Sequence, residues 1–480
     1  MDYLYELEYM LYQPNINYTK NGLFTEQDRQ NIIFFLYNLN DKFSYNNINL
    51  QLAITLFDTY CSLITEDEPY IYYKGISCMC LNLADAILNN TCINLKDYSK
   101  ECKLSVQSLK EILDDIVEKL DGTIIRPSTI FFVNTEIEQK LSLISYFQSQ
   151  LMIYKPSIIA DAIYYLINGT TKIYSFNEIS VPCALLCETI TQMCTTELTS
   201  IAKNCEQYVR SIDISTHTLH VTSSYHSPHK LDYIITEYMR TNYSEIYKVK
   251  CVEQVYVLKQ LYNDNFKELA CLKLLNHKNI ITLKSFKVTN KINLIFEIGQ
   301  FNLSDGISKG LLDVVHMLKY FTDITLGIKY CHEHDVIHGD LKPDNIMWFS
   351  CGNLKIIDFG DSVPYASVRP YLPIEVQTPL YRAPEILMGK SYYDNKIDIW
   401  SIGLIFYFMI TKDTLLDQVE KYEDLLPTIL SIFGEDISLF HNKVQKYQDI
   451  VMPCVKLDPT DRVSASDLLK VINNYSYLEY

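Results

Sequence analysis

Three short motifs between residues 331 and 385 constrain the fold and chemistry of this chain more than any other feature. They read His338-Gly-Asp-Leu-Lys-Pro-Asp-Asn345, Ile356-Ile-Asp-Phe-Gly360 and Tyr381-Arg-Ala-Pro-Glu385. The intervals between their acidic residues are 18 positions from Asp340 to Asp358 and 27 positions from Asp358 to Glu385. Carboxylate and amide oxygens are ligands that Mg²⁺ prefers in proteins. Because the three motifs occur together and in this order, they predict a single catalytic core.

The patterning along the chain divides it into three regions. Residues 22–211 read as helical throughout, because apolar residues recur at i, i+3, i+4 and i+7, as at Ile32, Phe35, Leu36 and Leu39. Residues 212–231 are rich in Ser, Thr and His without a sustained period, which predicts a linker. From residue 232 short β runs precede helices. We therefore expect an all-α domain over residues 1–211 and an α+β domain of two lobes over residues 232–480.

The α+β region resembles a protein kinase of the cyclin-dependent type. Val255-Tyr-Val-Leu-Lys259 looks like the strand whose lysine holds the α- and β-phosphates, and Glu268 matches the αC glutamate that pairs with it. The motif spacings and the segment Leu294-Ile-Phe-Glu-Ile-Gly299 also resemble that branch. The resemblance covers about residues 232 to 475 and implies a bilobal kinase that uses ATP and Mg²⁺.

This resemblance implies a role for each matching residue. Asp340 would be the base that accepts the substrate hydroxyl proton, and Lys342, the usual choice of Ser/Thr kinases, would steady the γ-phosphate. Asn345 and Asp358 would hold Mg²⁺. The ATP pocket would be formed by Lys259, Glu268, Ile246, Val257, Phe296 as gatekeeper, Glu297 and Gly299. Structural and activation support would come from Phe359, Gly360, Thr378, Glu385, Asp398 and Arg462.

The helical region resembles a cyclin-like domain with two cyclin folds, over about residues 22–126 and 127–211. Arg29-Gln-Asn-Ile-Ile-Phe-Phe-Leu36 looks like the opening helix of a cyclin box, and Asp58 lies at the characteristic acid of its second helix. The two resemblances imply a kinase fused in one chain to its own cyclin-like activator, through an intramolecular cyclin–kinase contact. Such single-chain fusions are a feature of some large DNA viruses.

The kinase pattern is broken at two places. The glycine-rich loop carries Met239, Thr241 and Ser244 at its glycine positions, which hinders close approach of the backbone to phosphates. Gly339 replaces the arginine that grips the activation-loop phosphothreonine, and the phosphothreonine position is itself Pro373. Because both partners are lost together, we expect a kinase that does not need activation-loop phosphorylation.

The regions that contact the cyclin and the substrate in this family also differ in this chain. Lys259 and Glu268 are nine residues apart, about half the family's separation, and no PSTAIRE motif remains, so the cyclin interface must be rebuilt or replaced. The family's proline-accepting segment has Gln377 and Pro379 where hydrophobic residues are usual. The sequence therefore leaves open whether Ser/Thr-Pro sites are preferred.

Composition limits the partners. The formal net charge of −16 argues against nucleic acid as the main partner, and the strongest late apolar run, Trp400 to Ile410, is too short to span a membrane. The 14 cysteines are dispersed, which predicts thiols in a reducing compartment. We expect an intracellular protein of the cytoplasm or nucleus that acts on protein substrates, without nucleic acid or membrane.

Three functions are compatible with these patterns. The first is a Ser/Thr protein kinase activated in cis by its cyclin-like domain. The second is a pseudokinase scaffold, which is suggested by the glycine-free loop, by Gly339 and by Val257 in place of a smaller adenine-pocket residue. The third is a kinase whose helical domain is an adaptor that recruits substrates or partners.

Overall fold

The chain divides into two compact units, with the division between residues 229 and 230. Apart from a few isolated residues, the computed structural model describes residues 24–64, 68–89, 94–122, 156–168, 234–240, 244–251, 254–261, 266–288, 291–312, 316–364, 376–390, 392–435 and 444–476. The predicted linker over 212–231 and most of the predicted second cyclin fold over 127–211 lie outside the described residues. The predicted domain limits remain predictions.

The amino-terminal unit is helical where it is described, as the periodicity predicts. Its helices are α1 Glu26–Lys42, α2 Asn47–Leu63, α3 Tyr70–Asn89, α4 Leu95–Cys102, α5 Val106–Lys119 and α6 Pro156–Asn168. Local sequence sets their starts: Thr25 and Asp28 form a capping box at α1, and the Asn46 side chain caps α2. Proline at the start of α6 removes an N–H that has no helical partner there.

Helix α3 runs through the centre of this unit. Every residue from Gly75 to Leu88 is buried, so this helix has no solvent-facing polar side. A Cβ atom on Gly75 would lie 2.4 Å from Cδ1 of Leu104, so the absence of a side chain permits close packing at this point. The apolar stretch from Ile76 to Leu88 therefore lies in the core of this unit.

A buried ion pair joins α1 to α2. Arg29 donates to Asp58 through two bonds, Nε to Oδ1 at 3.0 Å and Nη2 to Oδ2 at 2.6 Å. Their side chains are 0% and 3% exposed. A buried charge is tolerated when it is paired and hydrogen-bonded, so this pair fixes the two helices at the positions that the cyclin resemblance singles out.

The carboxy-terminal unit opens with a five-stranded sheet. Its strands are β1 Ile234–Arg240, β2 Ser244–Cys251, β3 Gln254–Leu261, β4 Leu283–Val288 and β5 Ile292–Glu297, in the order β1-β2-β3-β5-β4. Helix α7, Phe266–Leu274, follows β3 and is buried along most of its length. The β runs expected near residues 246–251, 254–260 and 292–297 are confirmed as strands.

Helices and short strands follow the sheet. In chain order they are β6 Phe301–Asn302, α8 Leu303–Ser308, α9 Met317–Glu333, β7 Val336–Ile337, β8 Ile346–Trp348, β9 Leu354–Ile356, β10 Val363–Pro364, α10 Pro384–Leu387, α11 Lys396–Thr411, α12 Leu425–Leu430, α13 Gln448–Val451 and α14 Ala465–Ser476. Strands β6, β8 and β9 form one small sheet, and β7 pairs with β10 in another.

Helix α11 is the buried axis of this helical part. All its residues from Ile397 to Met409 are buried, and Phe406 stacks on Phe321 of α9 with ring centroids 4.0 Å apart. The apolar run from Trp400 to Ile410 is therefore core. Within the described part of the chain, no helix combines the length and apolarity needed to cross a membrane.

Candidate active site

Lys259, near the end of β3, is the centre of the first cluster. Its Nζ donates to both carboxylate oxygens of Glu268 on α7, at 2.8 and 2.9 Å. The same Nζ donates to Oδ1 of Asp358 at 2.7 Å. The predicted lysine–glutamate pair is thus formed across nine residues of sequence, and the lysine also reaches the acid of the Asp-Phe-Gly motif.

Burial and charge act in opposite directions in this cluster. Burial alone would lower the pKa of Lys259, but Glu268 and Asp358 more than offset it, so the pKa of the lysine is raised. Burial also raises the pKa of Glu268, against the attraction of Lys259. For Asp358 the lysine outweighs burial, and the pKa of this carboxyl is lowered. The lysine is therefore charged at neutral pH and Asp358 is ionised.

Asp340 is the centre of the second cluster. Its Oδ1 accepts from the backbone N–H of Thr378 at 2.8 Å and from the Thr378 hydroxyl at 2.6 Å. Its Oδ2 accepts from Nζ of Lys342 at 2.7 Å and from Nδ2 of Asn345 at 3.1 Å. Lys342 also donates to the Thr378 hydroxyl at 2.9 Å. Lys342, Asn345 and Thr378 therefore all donate to the carboxylate of Asp340.

Asp398 holds the loop that presents Asp340. This fully buried carboxylate on α11 accepts from the backbone N–H groups of His338 and Gly339, at 2.8 and 3.1 Å. His332 of α9 reaches the same carboxylate at 2.9 Å. Because two consecutive backbone amides are fixed, the direction of the following residue, Asp340, is fixed as well.

The Asp-Phe-Gly motif packs against the same loop. Phe359 is fully buried, and its ring meets the His338 ring edge-on at 4.9 Å. Nδ1 of His338 accepts from the backbone N–H of Asp340 at 3.2 Å, so Nε2 carries the proton and donates to the carbonyl of Ile357 at 3.1 Å. The imidazole thus ties the two motifs together.

The residues expected around adenine lie on β2, β3 and β5 and in the segment after β5. Ile246 pairs with Lys259 across β2 and β3, and Val257 pairs with Phe296 across β3 and β5. These pairings place the predicted pocket residues on neighbouring strands. Gly339 of the catalytic loop and Gly360 of the Asp-Phe-Gly motif have no side chains.

Glu297, the last residue of β5, makes a contact that the sequence analysis did not predict. Glu297 forms an ion pair with Lys355 of β9 at 2.5 Å, and the lysine also lies over the Phe349 ring. A Cβ atom on Gly299 would lie 1.9 Å from Sδ of Met347, so a side chain here would require the Met347 side chain to move. Lys355 belongs to none of the motifs of the sequence. The one feature that could have drawn attention to it is its position between the two apolar residues of β9.

Glu385 and Arg462 form the expected structural support. The guanidinium donates to both carboxylate oxygens, at 2.6 and 2.7 Å, and both side chains are buried. Arg462 also donates to the carbonyls of Lys456 and Leu457 and lies over the Trp400 ring at 5.1 Å. A bidentate buried pair of this kind is rigid, which anchors the segment after Thr378 to the end of the unit.

Comparisons with known proteins agree with this geometry. The family model described as protein kinase domain matches residues 234–472. A probable cell division protein kinase of Encephalitozoon cuniculi is 33% identical over 215 residues, which are 43% of this chain and 80% of that relative. The fold and the site are those of a phosphate-transferring enzyme of the kinase class. The chain belongs to the protein kinase family, and its similarity to that relative supports the cyclin-dependent type.

A kinase domain implies ATP and a divalent metal ion, and the donor set fits such an ion. Nδ2 of Asn345 makes bonds to the carbonyl and to Oδ2 of Asp340, which leaves the amide oxygen for a cation. Asp358 engages Lys259 through Oδ1, and its side chain is half-exposed. No cluster of three or more His, Cys, Asp or Glu that could bind a metal occurs among the described residues. One carboxylate and one amide suit Mg²⁺, because phosphates and water complete its shell.

Proposed function

We propose that this protein transfers the γ-phosphate of ATP to serine or threonine hydroxyls of protein substrates. Asp340 would accept the hydroxyl proton, Lys259 and Lys342 would bind phosphate oxygens, and Asn345 and Asp358 would hold Mg²⁺. The observation that carries this proposal is the convergence of Lys342, Thr378 and Asn345 on the Asp340 carboxylate. Phosphoryl transfer depends on positioning and electrostatics, and both clusters are already assembled.

A pseudokinase scaffold is the rival function. It is favoured by the glycine-free loop, by Gly339 and by Val257. Against it stands the ion pair between Lys259 and Glu268, at 2.8 Å and with the glutamate almost fully buried. A scaffold has no need to maintain a buried charge pair whose desolvation is costly.

Contacts within the activation segment support activity without its phosphorylation. Strand β10 pairs with β7, and the backbone N–H of Ala366 donates to the carbonyl of Asp335 at 3.3 Å. Further along, the Tyr393 hydroxyl donates to the carbonyl of Pro373 at 2.6 Å, at the position that the family phosphorylates. A hydroxyl–carbonyl bond there needs no phosphate and no arginine, so we propose that Ala366 and Pro373 are held by these contacts without phosphorylation.

We also propose that the amino-terminal unit is a cyclin-like activator in cis. Support comes from the buried pair of Arg29 and Asp58, which joins the two helices that resemble the start of a cyclin box. Covalent linkage in one chain can provide an effective concentration of about millimolar, so a weak intramolecular interface would suffice. The rival is an adaptor that brings substrates to a kinase that is active by itself.

Deleting residues 1–211 separates the activator from the adaptor. The truncated chain is compared with the full chain on a short peptide, which needs no recruitment, and ATP-induced thermal shift serves as the control for folding. The activator proposal expects a large loss of kcat with the thermal shift retained. Undiminished peptide phosphorylation would contradict it and favour the adaptor.

The backbone at Gln377 supports a preference for proline after the target hydroxyl. The carbonyl of Gln377, in the segment that resembles the family's proline-accepting segment, accepts from Nε and Nη2 of Arg382 at 3.1 and 2.7 Å. That carbonyl is therefore not offered to a substrate amide. Proline has no N–H, whereas any other residue would leave an amide unpaired at a cost of about 1–3 kcal/mol.

A pair of peptides that differ only in this residue tests the preference. We expect kcat/KM for a Ser-Pro peptide to exceed that for the matched Ser-Ala peptide by roughly tenfold or more, which corresponds to the loss of about one hydrogen bond. Equal values for the two peptides would contradict the preference. Mass spectrometry of the products identifies the modified hydroxyl.

A further inference from the structure

Gln377 adopts a conformation that needs support from its surroundings. Its φ is +65°, in the left-handed region that costs about 1–3 kcal/mol for a residue other than glycine. It is 4% exposed and directly precedes Thr378, whose N–H and hydroxyl both bind Asp340. A strained residue persists where neighbouring contacts determine its conformation, so the contacts of Gln377 are informative.

The side-chain amide of Gln377 uses both its donor and its acceptor atoms. Nε2 donates to the carbonyl of Ile397 at 2.9 Å and to the Ser401 hydroxyl at 2.8 Å, both on α11. Oε1 accepts from the backbone N–H of Ala383 at 2.9 Å. This arrangement also fixes which end of the amide is oxygen and which is nitrogen, since a carbonyl faces one end and an N–H the other.

The backbone of Gln377 is bound as fully as its side chain. Its N–H donates to the carbonyl of Gly339 at 2.7 Å, next to Asp340. Its carbonyl accepts the two bonds from Arg382. One buried residue thus connects the catalytic loop, the end of the activation segment and α11.

We propose that Gln377 is the positioning residue that sets Thr378, and through it Asp340, in place of an ordering phosphate. This inference rests on the proposed kinase function and names the residue that regulates its geometry. An apolar side chain at this position would fill the space but would remove the bonds to the Ala383 N–H, the Ile397 carbonyl and the Ser401 hydroxyl, of which Ser401 keeps its bond to the Tyr381 carbonyl. The strained φ of Gln377 would then lose the side-chain part of its support, and Thr378 would move from Asp340.

The test compares Gln377→Met with a matched control. Methionine has nearly the volume of glutamine but makes none of these bonds. Asn293 on β5 supplies the control, because its buried amide donates to the carbonyls of Lys287 and Lys291 and accepts from Gln260. Asn293→Leu removes a similar number of buried amide bonds away from the activation segment.

Three readouts are taken on the full-length chain. Hydrogen exchange is followed in the peptide that covers residues 376–383, where the amides of Gln377, Thr378 and Ala383 are bonded. Steady-state kinetics give kcat and the KM for ATP, and the Ser-Pro and Ser-Ala peptides give the selectivity ratio. Melting temperatures show how much stability each variant has lost.

For Gln377→Met we expect faster exchange in this peptide and a kcat lowered by roughly 10- to 100-fold, with the KM for ATP within about twofold. The selectivity ratio should fall toward 1, because the Gln377 carbonyl is released from Arg382. Asn293→Leu should lower the melting temperature without changing exchange at 376–383 or the ratio. Where Gln377→Met does not fold, Ser401→Ala removes one partner of the Gln377 amide, together with the Ser401 bond to the Tyr381 carbonyl, and should give faster exchange of the Gln377 and Thr378 amides to a smaller degree.

The outcomes separate this inference from the function on which it rests. Unchanged exchange at 376–383 in Gln377→Met, or in Ser401→Ala where the first variant does not fold, overturns the positioning role whether or not the protein is active. An active wild type whose variant loses only stability, with kcat and selectivity kept, overturns it too and leaves the kinase function intact. A wild type without phosphate transfer overturns the proposed function, and the exchange experiment still decides the structural role of Gln377.

Discussion

At the scale of single residues, Gly339 has a steric reason for being glycine. Its φ is +79°, and a Cβ atom there would lie 2.6 Å from the carbonyl oxygen of Asp361. An arginine at this position would have to adopt the left-handed backbone conformation, and its Cβ atom would make the same close contact with Asp361. The replacement that the sequence relates to a lost phosphothreonine partner therefore also relieves the catalytic loop of strain.

Gly339→Ala should cost more stability than Gly352→Ala. Gly352 has a φ of +81° with open space around it, so its substitution measures backbone strain alone, about 1–2 kcal/mol. Gly339→Ala adds the contact with Asp361, for which we expect roughly 1–3 kcal/mol more. The free energy of unfolding from urea titrations checks this. Equal losses for the two variants would mean that the Asp361 contact relaxes without cost.

Glu268→Gln should reduce catalysis without abolishing nucleotide binding. The change removes the negative charge that pairs with Lys259 and leaves the lysine to Asp358. We expect kcat to fall by roughly 100-fold, since the lysine is no longer held at the phosphate position, while ATP still shifts the melting temperature. Glu333→Gln is the control, because the pair of Glu333 and Lys329 is exposed and far from these contacts.

The arrangement of the candidate site was largely predictable from sequence, whereas the roles of its residues remain predictions. Asp340, Lys342, Asn345 and Thr378 lie together, because a few residue types at fixed spacing can perform this positioning. The bonds of Gln377 were not predictable. A buried glutamine has no periodicity or motif, and its three side-chain partners come from residues up to 24 positions away.

At the scale of elements, a buried ion pair links the first two helices. Asp58→Ala would remove the carboxylate that binds the buried Arg29 guanidinium through two bonds, which should cost about 3–5 kcal/mol. Hydrogen exchange in α1 and α2 of the full chain measures the loss. Asp97→Ala, which breaks an exposed pair with Lys100, should change stability by less than about 0.5 kcal/mol.

The double variant Arg29→Met with Asp58→Leu tests whether the loss comes from the Arg29 charge deprived of the Asp58 carboxylate. Packing of apolar side chains in place of a buried pair is often neutral or stabilising, so most of the stability should return. A double variant as unstable as Asp58→Ala would show that the cavity, and not the charge, sets the cost.

Elements with a strong period were predicted well and short ones were not. Helix α1 follows from the spacing of its apolar residues, and β2, β3 and β5 from β-rich runs. The two-residue strands β7 and β10 carry no pattern of their own. They exist because the backbone of the activation segment meets the catalytic loop, which is a tertiary effect.

At the scale of the whole molecule, the proposals combine into one. We propose that a chain whose catalytic loop has glycine in place of arginine, and whose activation segment has proline at the phosphorylated position, is active without an activating kinase. The contacts of Tyr393 and Gln377 are proposed to replace the phosphate locally, and the cyclin-like unit is proposed to act in cis. Neither feature requires a second protein.

Phosphate transfer by the isolated full-length chain tests this claim most directly. The chain is made in bacteria, treated with a phosphatase that is then removed, and given labelled ATP, Mg²⁺ and a basic protein substrate beside Asp340→Ala. The account predicts transfer by the wild type that vanishes in the variant and when Mg²⁺ is chelated. No transfer by the wild type, together with no thermal shift from ATP and Mg²⁺, would contradict it and leave a scaffold as the function.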